Sequence, residues 1–373
     1  MFLRALGLFL IGIFSACAEA NSCSVLIYAD GLGSGHAAYG GIPADASRWS
    51  RGTVATPGGD SALVTSMLST GCASPLVGGL SMIGGATPRR AATKLREKFA
   101  RRGAAYALVS SKCVDDGTAS AFTVSWADRY DMSGVASAIA SARPAPVLLS
   151  GGFSRSLWTA AAANDSAYVE FDSSAGSAFA ETCEYPAAAS FPARARDALE
   201  RVADRGGEAG FFAVLSFAGV DMASHSGQGL AGALGVLQRT VSETETFLAR
   251  TCSLWQLVVV GSHNTGGAST NGTLAHHEHS AGGTPVPLFA LGVPTRSVEH
   301  AATMADVARL LDPTIRCAPA PRRGMFVYQG SHAGGALTVV EVAAVYGFIV
   351  VFFMLIASVP CVMPIHLNSR KII

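Results

Sequence analysis

The chain from residue 211 reads Phe211-Phe-Ala-Val-Leu-Ser-Phe-Ala-Gly-Val-Asp-Met-Ala-Ser-His225. The first part, Phe211 to Ser216, is an apolar run of the length typical of a buried β-strand. Asp221 and His225 follow it four positions apart, which places both side chains on one side of a helical turn. A carboxylate and an imidazole so arranged can reach the same zinc ion. The stretch therefore predicts a buried strand with a metal-binding pair after its carboxyl end.

Similar apolar runs alternate with helical patterns along most of the chain, which is typical of an α/β domain. No linker rich in proline and serine interrupts this alternation, so we expect one domain at about residues 21–325. The other predicted strands are Ser24 to Ala29, Ala105 to Ser110, Val147 to Ser150, Leu257 to Gly261 and Val286 to Leu291. The predicted helices are Arg89 to Arg102, Leu230 to Arg250 and Ala302 to Leu311.

Polar side chains concentrate just after the predicted strands. Asp30 follows the first strand, Asp115 and Asp116 the second, Asp221 the fourth and His263 the fifth. The carboxyl edge of the sheet is where ligands bind in open α/β folds. Four such loops, each with a carboxylate or an imidazole, indicate a metal-dependent site.

A further motif begins at two glycines, in Gly58-Gly-Asp60-Ser61-Ala-Leu-Val-Thr-Ser-Met-Leu-Ser-Thr-Gly71. Asp60 or Ser61 can start the helix that follows, and the amides of its first turn favour an anion. An ordinary N-cap is one interpretation of Ser61. The other is a nucleophile whose pKa is lowered by a metal ion.

The Asp-Ser-Ala motif, with Ser-Thr-Gly at the end of the same helix, resembles the nucleophile motif of alkaline phosphatases. The resemblance implies a three-layer α/β/α sandwich and a phosphorylated Ser61. Other motifs appear in the family's order. The strand ending at Asp30 resembles the family's first strand with its metal-bridging aspartate, and Val147-Leu-Leu-Ser-Gly-Gly resembles its strand that ends in a glycine turn.

The same resemblance assigns the remaining site residues. Asp116 and Thr118 match the segment that supplies a third, magnesium-type site. Arg129 follows Thr118 by eleven residues (129 − 118), as does the family's phosphate-binding arginine. A planar guanidinium there can bind two phosphate oxygens; a solvated surface arginine is the alternative.

One zinc site is implied at Asp221, His225 and His279, where His279 is preferred to His276 and His277 for its spacing to the following strand. The second implied site contains Asp30, His263 and Ser61. Two ligands that the resemblance implies are replaced by serine. Ser262 takes the place of an aspartate before His263, and Ser216 takes the place of the glutamate of the third site. A hydroxyl is a poor ligand for a divalent cation, so we expect weakened binding of Zn²⁺ and Mg²⁺. The interval from His263 to His279 has no room for the family's large insert, so nothing supports the dimer that this insert helps to form.

The two ends of the chain indicate a secreted, membrane-anchored protein. Residues 1–20 read as a signal peptide, with a bacterial lipoprotein signal at Cys17 or an uncleaved core helix as alternatives. Residues 342–363 are apolar and uncharged and are followed by Arg370 and Lys371, which predicts a transmembrane helix with a cytosolic C-terminus. The alternatives are a core helix and a GPI signal near residues 331–335. We expect a stalk at 326–341 and a cytoplasmic tail at 364–373.

The composition of the chain limits the classes of partner and metal site that we expect. A formal net charge of +1 gives no reason to expect nucleic acid. Six cysteines lie between the terminal segments without a CxxC pair, which permits three disulfides and argues against a cysteine zinc site; they are Cys23, Cys72, Cys113, Cys183, Cys252 and Cys317. Asn164 and Asn271 head glycosylation triplets.

The leading hypothesis is a metal-dependent phosphomonoesterase that acts on phosphorylated small molecules through a phosphoserine at Ser61, with activity below that of intact family members. The first alternative is an inactive, membrane-tethered phosphatase-like binding protein. The second is a phosphodiesterase or phosphoethanolamine transferase of the same superfamily.

Overall fold

The computed structural model describes a large part of the chain between residues 22 and 315. The described residues are 22–56, 61–72, 76–77, 80–81, 86–87, 90–91, 94–126, 128–142, 148–152, 154, 156–157, 159–160, 170–171, 188–265 and 284–315. All of them belong to the first of two compact units, Met1–Ala320. The second unit, Pro321–Ile373, lies outside the described residues.

The described part of the chain forms strands and helices in alternation. The strands are β1 (Ser22–Ala29), β2 (Ser50–Val54), β3 (Leu76–Val77), β4 (Leu80–Ser81), β5 (Ala86–Thr87), β6 (Arg90–Ala91), β7 (Ala105–Cys113), β8 (Leu148–Gly152), β9 (Glu170–Phe171), β10 (Phe211–Phe217), β11 (Leu254–Gly261) and β12 (Val286–Leu291). The helices are α1 (Ser34–Tyr39), α2 (Ser61–Thr70), α3 (Leu95–Ala100), α4 (Gly117–Ser120), α5 (Met132–Ala140), α6 (Phe191–Gly206), α7 (Gly219–Ser226), α8 (Leu230–Thr251), α9 (Thr295–Glu299) and α10 (Met304–Leu311). Short 3₁₀ turns lie at Ala46–Arg48, Ala188–Ser190 and Gly207–Ala209.

Eight of these strands form one mixed sheet, in the order β2-β12-β11-β1-β10-β7-β8-β9. The six strands from β11 to β9 run parallel to one another, and β12 is antiparallel to both of its neighbours, β11 and the edge strand β2. Two hairpins, β3–β4 and β5–β6, are separate from this sheet. In a parallel sheet the carboxyl ends of neighbouring strands share one edge, so β1, β10 and β11 bring their following loops together.

Strand β1 shows how the core is divided between the two faces of the sheet. Leu26 and Tyr28 belong to a core cluster that also contains apolar residues of α2, α3, α5 and α10. Val25, Ile27 and Ala29 belong to a second cluster with residues of α6 and α8. Because side chains alternate across a strand, a strand covered on both faces is apolar throughout. The α/β/α sandwich expected from the sequence is therefore confirmed.

One predicted helix is wrong in its first part. The prediction runs from Arg89 to Arg102, whereas Arg90–Ala91 is a short strand and the helix α3 begins only at Leu95. The start is fixed locally, because the side chain of Glu97 accepts a hydrogen bond from the Lys94 backbone N–H at 3.4 Å. Such a contact between the N-cap and the third helical residue ends the extended segment and begins the helix.

A disulfide joins Cys23, at the start of β1, to Cys252, directly after α8. Cys72 and Cys113 are also disulfide-bonded. Cys183 and Cys317 lie outside the described residues. The expectation of disulfides is thus met for Cys23 and Cys252, and the link ties a central strand to a helix packed on the sheet.

The predictions for the two ends of the chain concern residues that the structure does not describe. The signal peptide, the stalk, the transmembrane helix at 342–363 and the tail all lie outside the described residues, as do Asn164 and Asn271. Within the described part, no helix has the length and apolar character that crossing a membrane requires.

Candidate metal-dependent active site

The candidate site lies at the carboxyl edge of β1, β10 and β11, where backbone hydrogen bonds tie three loops together. The N–H of Asp30 donates to the carbonyl of Phe217 at 2.8 Å, and the N–H of Asp221 donates to the carbonyl of Asp30 at 3.1 Å. The N–H of Ser262 donates to the carbonyl of Ala29 at 3.2 Å. These bonds fix the relative positions of Asp30, Asp221 and the Ser262–His263 pair.

Gly31 makes this close approach sterically feasible. Its φ is +75°, a conformation that L side chains rarely adopt. A Cβ added to Gly31 would lie 2.7 Å from the Cα of Asp221. A side chain at this position would therefore push the loops after β1 and β10 apart.

Asp30 Oδ1 is the centre of a hydrogen-bond network. The hydroxyl of Ser61, the first residue of α2, donates to this oxygen at 2.8 Å, and the hydroxyl of Ser262 donates to it at 2.6 Å. Ser61 is only 9% exposed. The structure thus brings the predicted nucleophile into direct contact with the predicted metal-bridging aspartate.

His263 lies between the two aspartates. Its Nδ1 is 3.4 Å from Asp30 Oδ1 and its Nε2 is 3.3 Å from Asp221 Oδ1. Nδ1 is also 2.7 Å from the Ser262 hydroxyl. Because the single proton of that hydroxyl goes to Asp30, the His263 ring is the donor in this contact. The replacement residue Ser262 therefore orients both Asp30 and His263.

The pKa values of Asp30 and His263 are shifted in opposite directions. Burial opposes the charged form of His263, but hydrogen bonds to Asp221 and Asp30 outweigh it and raise the pKa of His263 to about 10. Burial likewise raises the pKa of Asp30, but the hydrogen bond from His263, its charge and the charge of Lys112 hold that pKa well below its usual range. Without a metal ion, the site therefore contains a protonated imidazole between two carboxylates, and a cation that binds His263 must displace its proton.

The donor atoms fit a divalent cation. One oxygen each from Asp30 and Asp221 and one ring nitrogen of His263 lie within 4.8 Å of one another, and all three residues are buried. Asp221 Oδ1 is inaccessible to solvent and lies 3.3 Å from His263 Nε2 and 3.5 Å from His225 Nε2. A buried carboxylate is costly unless a positive charge compensates it, which a protonated imidazole or a metal ion can supply. Two carboxylates and an imidazole are a ligand set that zinc accepts.

The Asp221–His225 pair lies at the rim of this cluster. Asp221 is in the first turn of α7, and His225 Nε2 is 3.5 Å from Asp221 Oδ1. The His225 side chain is 47% exposed, so it is the solvent-facing member of the group. The third residue of the predicted zinc site, His279, lies outside the described residues, as do His276, His277 and Asp60.

Asp116, Thr118 and Arg129 form a second group. The Asp116 side chain accepts a hydrogen bond from the Thr118 N–H at 3.0 Å and so caps α4, which packs against α2. A Cβ on Gly117 would lie 2.9 Å from the Cβ of Arg129, so the Arg129 side chain packs directly on this turn. Its guanidinium lies 5.6 Å from the ring centroid of Tyr130. Among the described residues, the cluster of metal-ligating groups does not include Asp116.

The neighbouring carboxylate, Asp115, has a different role from Asp116. Asp115 is fully buried, its carboxylate accepts a hydrogen bond from the Ser154 N–H at 3.2 Å, and the Ser154 hydroxyl also donates to it. Burial raises the pKa of Asp115. Asp115 therefore fixes the loop after β8 and is not available to a ligand.

Two residues around the site were missing from the sequence-based set. The Tyr28 hydroxyl donates to the Ser61 carbonyl at 3.4 Å, and Thr265 Oγ1 donates to the Gly31 carbonyl at 2.8 Å. Tyr28 precedes Asp30 by two positions on a strand, and this period of two could have identified it. Ser216, the replacement for the expected glutamate, is buried and pairs in the sheet with Tyr28 and Ser110.

Comparison with known proteins identifies the fold. No protein-family model matches the chain, and no curated protein matches it in sequence. Among solved structures, the alkaline phosphatase of the Antarctic bacterium TAB5 is similar with a TM-score of 0.63 and 15% identity, over 78% of this chain and 96% of that one. A cold-active alkaline phosphatase of Shewanella sp. gives a TM-score of 0.62 at 15% identity, over 79% of this chain and 100% of that one. The Thermus thermophilus alkaline phosphatase gives 0.56 at 15% identity, over 79% and 90%.

Proposed function

We propose that this chain, which has the fold of the alkaline phosphatases, is a metal-dependent phosphomonoesterase that acts through a phosphoserine at Ser61. The observation that carries the proposal is the contact between the Ser61 hydroxyl and Asp30, inside a group that also contains Asp221 and His263. A serine hydroxyl beside a cluster of metal-ligating groups is the arrangement that metal-activated nucleophilic catalysis requires.

Ser61 is well placed for attack on phosphorus. It begins α2, a helix of 10 residues, so the positive end of the helix dipole lies beside its hydroxyl. That positive end favours the phosphate dianion of a monoester. The hydrogen bond to Asp30 orients the Ser61 oxygen, whose lone pairs remain available for the substrate.

The reaction takes place in two displacements. In the first, Ser61 Oγ forms a bond to phosphorus as its hydroxyl proton passes to solvent, the ester P–O bond breaks, and the leaving oxygen takes a proton from solvent to depart as the alcohol. In the second, the oxygen of a water molecule forms a bond to phosphorus, the bond from phosphorus to Ser61 Oγ breaks, one proton of that water returns to Ser61 Oγ, and inorganic phosphate is released. Arg129 would bind two of the equatorial oxygens through its planar guanidinium.

The residues that would hold a divalent cation are Asp30, Asp221, His263 and, at the rim, His225. Such a cation lowers the pKa of a neighbouring hydroxyl and neutralises charge on the transferred phosphoryl group. Asp30 and His263 are held in position for it by Ser262, and Asp221 Oδ1 lies 3.3 Å from His263 Nε2 and 3.5 Å from His225 Nε2.

A second function, a binding protein without turnover, is favoured by Ser262. The Ser262 hydroxyl donates to Asp30 Oδ1 and contacts His263 Nδ1. The resemblance leads us to expect a metal-binding carboxylate at this position instead. The proton on that hydroxyl and its lack of charge both reduce the affinity of this side of the site for a cation. The two functions differ in whether the zinc-loaded protein turns over substrate.

We expect the purified full-length chain to release phosphate from an aryl phosphate monoester. This release should stop when zinc is chelated and resume when zinc is restored. The rate with an aryl phosphate diester should be at least ~10 times lower, because only a monoester dianion matches the charge of the site. The measurement is the rate at which the aryl alcohol is released from the monoester, with zinc chelated and with zinc restored, and from the diester. A zinc-loaded protein without turnover would support the binding function, and a preference for the diester would support the phosphodiesterase alternative.

A further inference from the structure

Thr265 is a buried residue in the segment that follows β11, two positions after His263. Its hydroxyl oxygen is 2.8 Å from the carbonyl oxygen of Gly31, in the loop after β1. The same oxygen is 3.0 Å from the hydroxyl oxygen of Ser224, on α7. One side chain therefore contacts both of the other elements that carry the clustered metal-ligating residues.

The positions of the hydroxyl protons identify Thr265 as the donor in both contacts. A hydroxyl has one proton to donate and two lone pairs that can accept. Ser224 donates its proton to the Val220 carbonyl at 2.7 Å, one turn earlier on α7. The proton of Thr265 is therefore shared between the Ser224 oxygen and the Gly31 carbonyl. The Gly31 carbonyl also contacts His36 Nδ1 at 3.3 Å, so Thr265 is the nearer of these two partners.

Two hydrogen bonds join the segment after β11 to the loop after β1, one on each side of the ligand that each segment carries. The Ser262 N–H donates to the Ala29 carbonyl at 3.2 Å, and both groups precede the ligand in their segment. The Thr265 hydroxyl donates to the Gly31 carbonyl, and both groups follow the ligand. The aspartate of one segment and the histidine of the other are thus held at both ends, which one bond alone does not achieve because the backbone can still turn about the φ and ψ angles beyond it.

The contact with Ser224 extends this constraint to α7. Ser224 lies between Asp221 and His225 on that helix. Asp221 Oδ1 is 3.3 Å from His263 Nε2, a separation that depends on how α7 is placed relative to the segment after β11. The contact between Thr265 and Ser224 is a direct link between these two elements. Removal of the Thr265 hydroxyl therefore loosens three ligand-bearing segments at once.

We propose that Thr265 is a positioning residue of the metal site, whose hydroxyl holds Asp30, Asp221 and His263 at the separations that a divalent cation requires. Removal of a residue that orients metal ligands without touching the metal typically weakens metal binding by about 10- to 100-fold. The inference rests on the proposed function and deepens it, because it concerns the cation that would activate Ser61.

The test is the affinity of the full-length protein for zinc, measured without substrate by competition with a chelator of known affinity. We expect Thr265→Val and Thr265→Ala to weaken zinc binding by about 10-fold or more, because neither side chain has the hydroxyl that joins the three segments. Valine keeps the branched shape of threonine, and alanine places no methyl group against the Gly31 carbonyl. Thr265→Ser keeps the hydroxyl and should stay within about threefold of the unchanged protein.

Thr240→Val is the matched control, because Thr240 is a buried threonine on α8 whose hydroxyl donates to the Val236 carbonyl at 2.9 Å. This variant also loses a buried hydrogen bond, but at a distance from the ligands, so its zinc affinity should equal that of the unchanged protein. Equal circular dichroism spectra of the zinc-free proteins would assign a loss of affinity to ligand placement and not to unfolding.

Zinc affinity of Thr265→Val and Thr265→Ala equal to that of the unchanged protein would overturn the role of Thr265 and leave the proposed function intact. A loss as large in Thr265→Ser or in Thr240→Val would overturn it as well, since the hydroxyl at this position would not be the cause. Weakened zinc binding in Thr265→Val and Thr265→Ala alone, in a protein that hydrolyses no monoester, would support the role of Thr265 and contradict the phosphomonoesterase.

Discussion

Replacement of Ser61 by alanine is expected to reduce phosphate release from an aryl phosphate by at least ~1,000-fold, because the variant has no oxygen to attack phosphorus. The Ser61 hydroxyl donates to Asp30 Oδ1, and a neutral hydroxyl adds little to the affinity for a divalent cation compared with the clustered aspartates and histidine. Zinc content should therefore stay close to that of the unchanged protein. Initial rates at saturating substrate, together with metal analysis, give both quantities.

Ser69→Ala is the matched control, because Ser69 is a buried serine near the other end of the same helix whose hydroxyl, within the described residues, donates to the Ser66 carbonyl alone. This variant should keep most of its activity. Equal turnover in Ser61→Ala and the unchanged protein would refute a serine nucleophile and with it the two-step reaction.

Replacement of Asp221 by alanine is expected to weaken zinc binding by at least ~100-fold and to abolish turnover at limiting zinc. Asp221 Oδ1 is within 3.5 Å of both His225 and His263, and removing it leaves Asp30 as the sole carboxylate of the clustered group. Ser61→Ala and Asp221→Ala thus separate the two parts of the mechanism, since the first loses the nucleophile and the second loses the cation.

Zinc retained after dialysis against a chelator of known affinity measures the effect. Asp204→Ala is a suitable control, because Asp204 is an exposed carboxylate on α6. Asp221→Ala protein that retains zinc as tightly as the control would show that the cation is bound elsewhere.

The sequence predicts the central sheet well because its strands are covered on both faces. Runs such as Val25 to Ala29 and Leu257 to Gly261 are apolar throughout, and helices follow them at short intervals. The edge strand Ser50–Val54 was not predicted, since it is polar and only half covered, with one fully buried residue. Helix α6 likewise has no counterpart among the predicted elements, although its apolar residues recur at helical spacing from Phe191 to Val202.

The part of the site that was predictable consists of residues that directly follow the carboxyl ends of the strands. Asp30, Asp221 and His263 follow neighbouring parallel strands, so their convergence follows from topology. The role of Ser262 was not predictable, because the resemblance implies a missing carboxylate at this position but not the three groups that the Ser262 hydroxyl contacts. The bulge in β7 was not predictable either, because an extra residue in a strand has no signature in the helical or the strand periodicity of a sequence.

The most direct test of the central claim is the chemical state of Ser61 during turnover. Zinc-loaded protein is mixed with an aryl phosphate, quenched in acid within the steady state, digested and analysed by mass spectrometry. The account predicts a phosphoryl group on Ser61 that appears with substrate and disappears as substrate is exhausted. Turnover with Ser61 unmodified at every time point would contradict it.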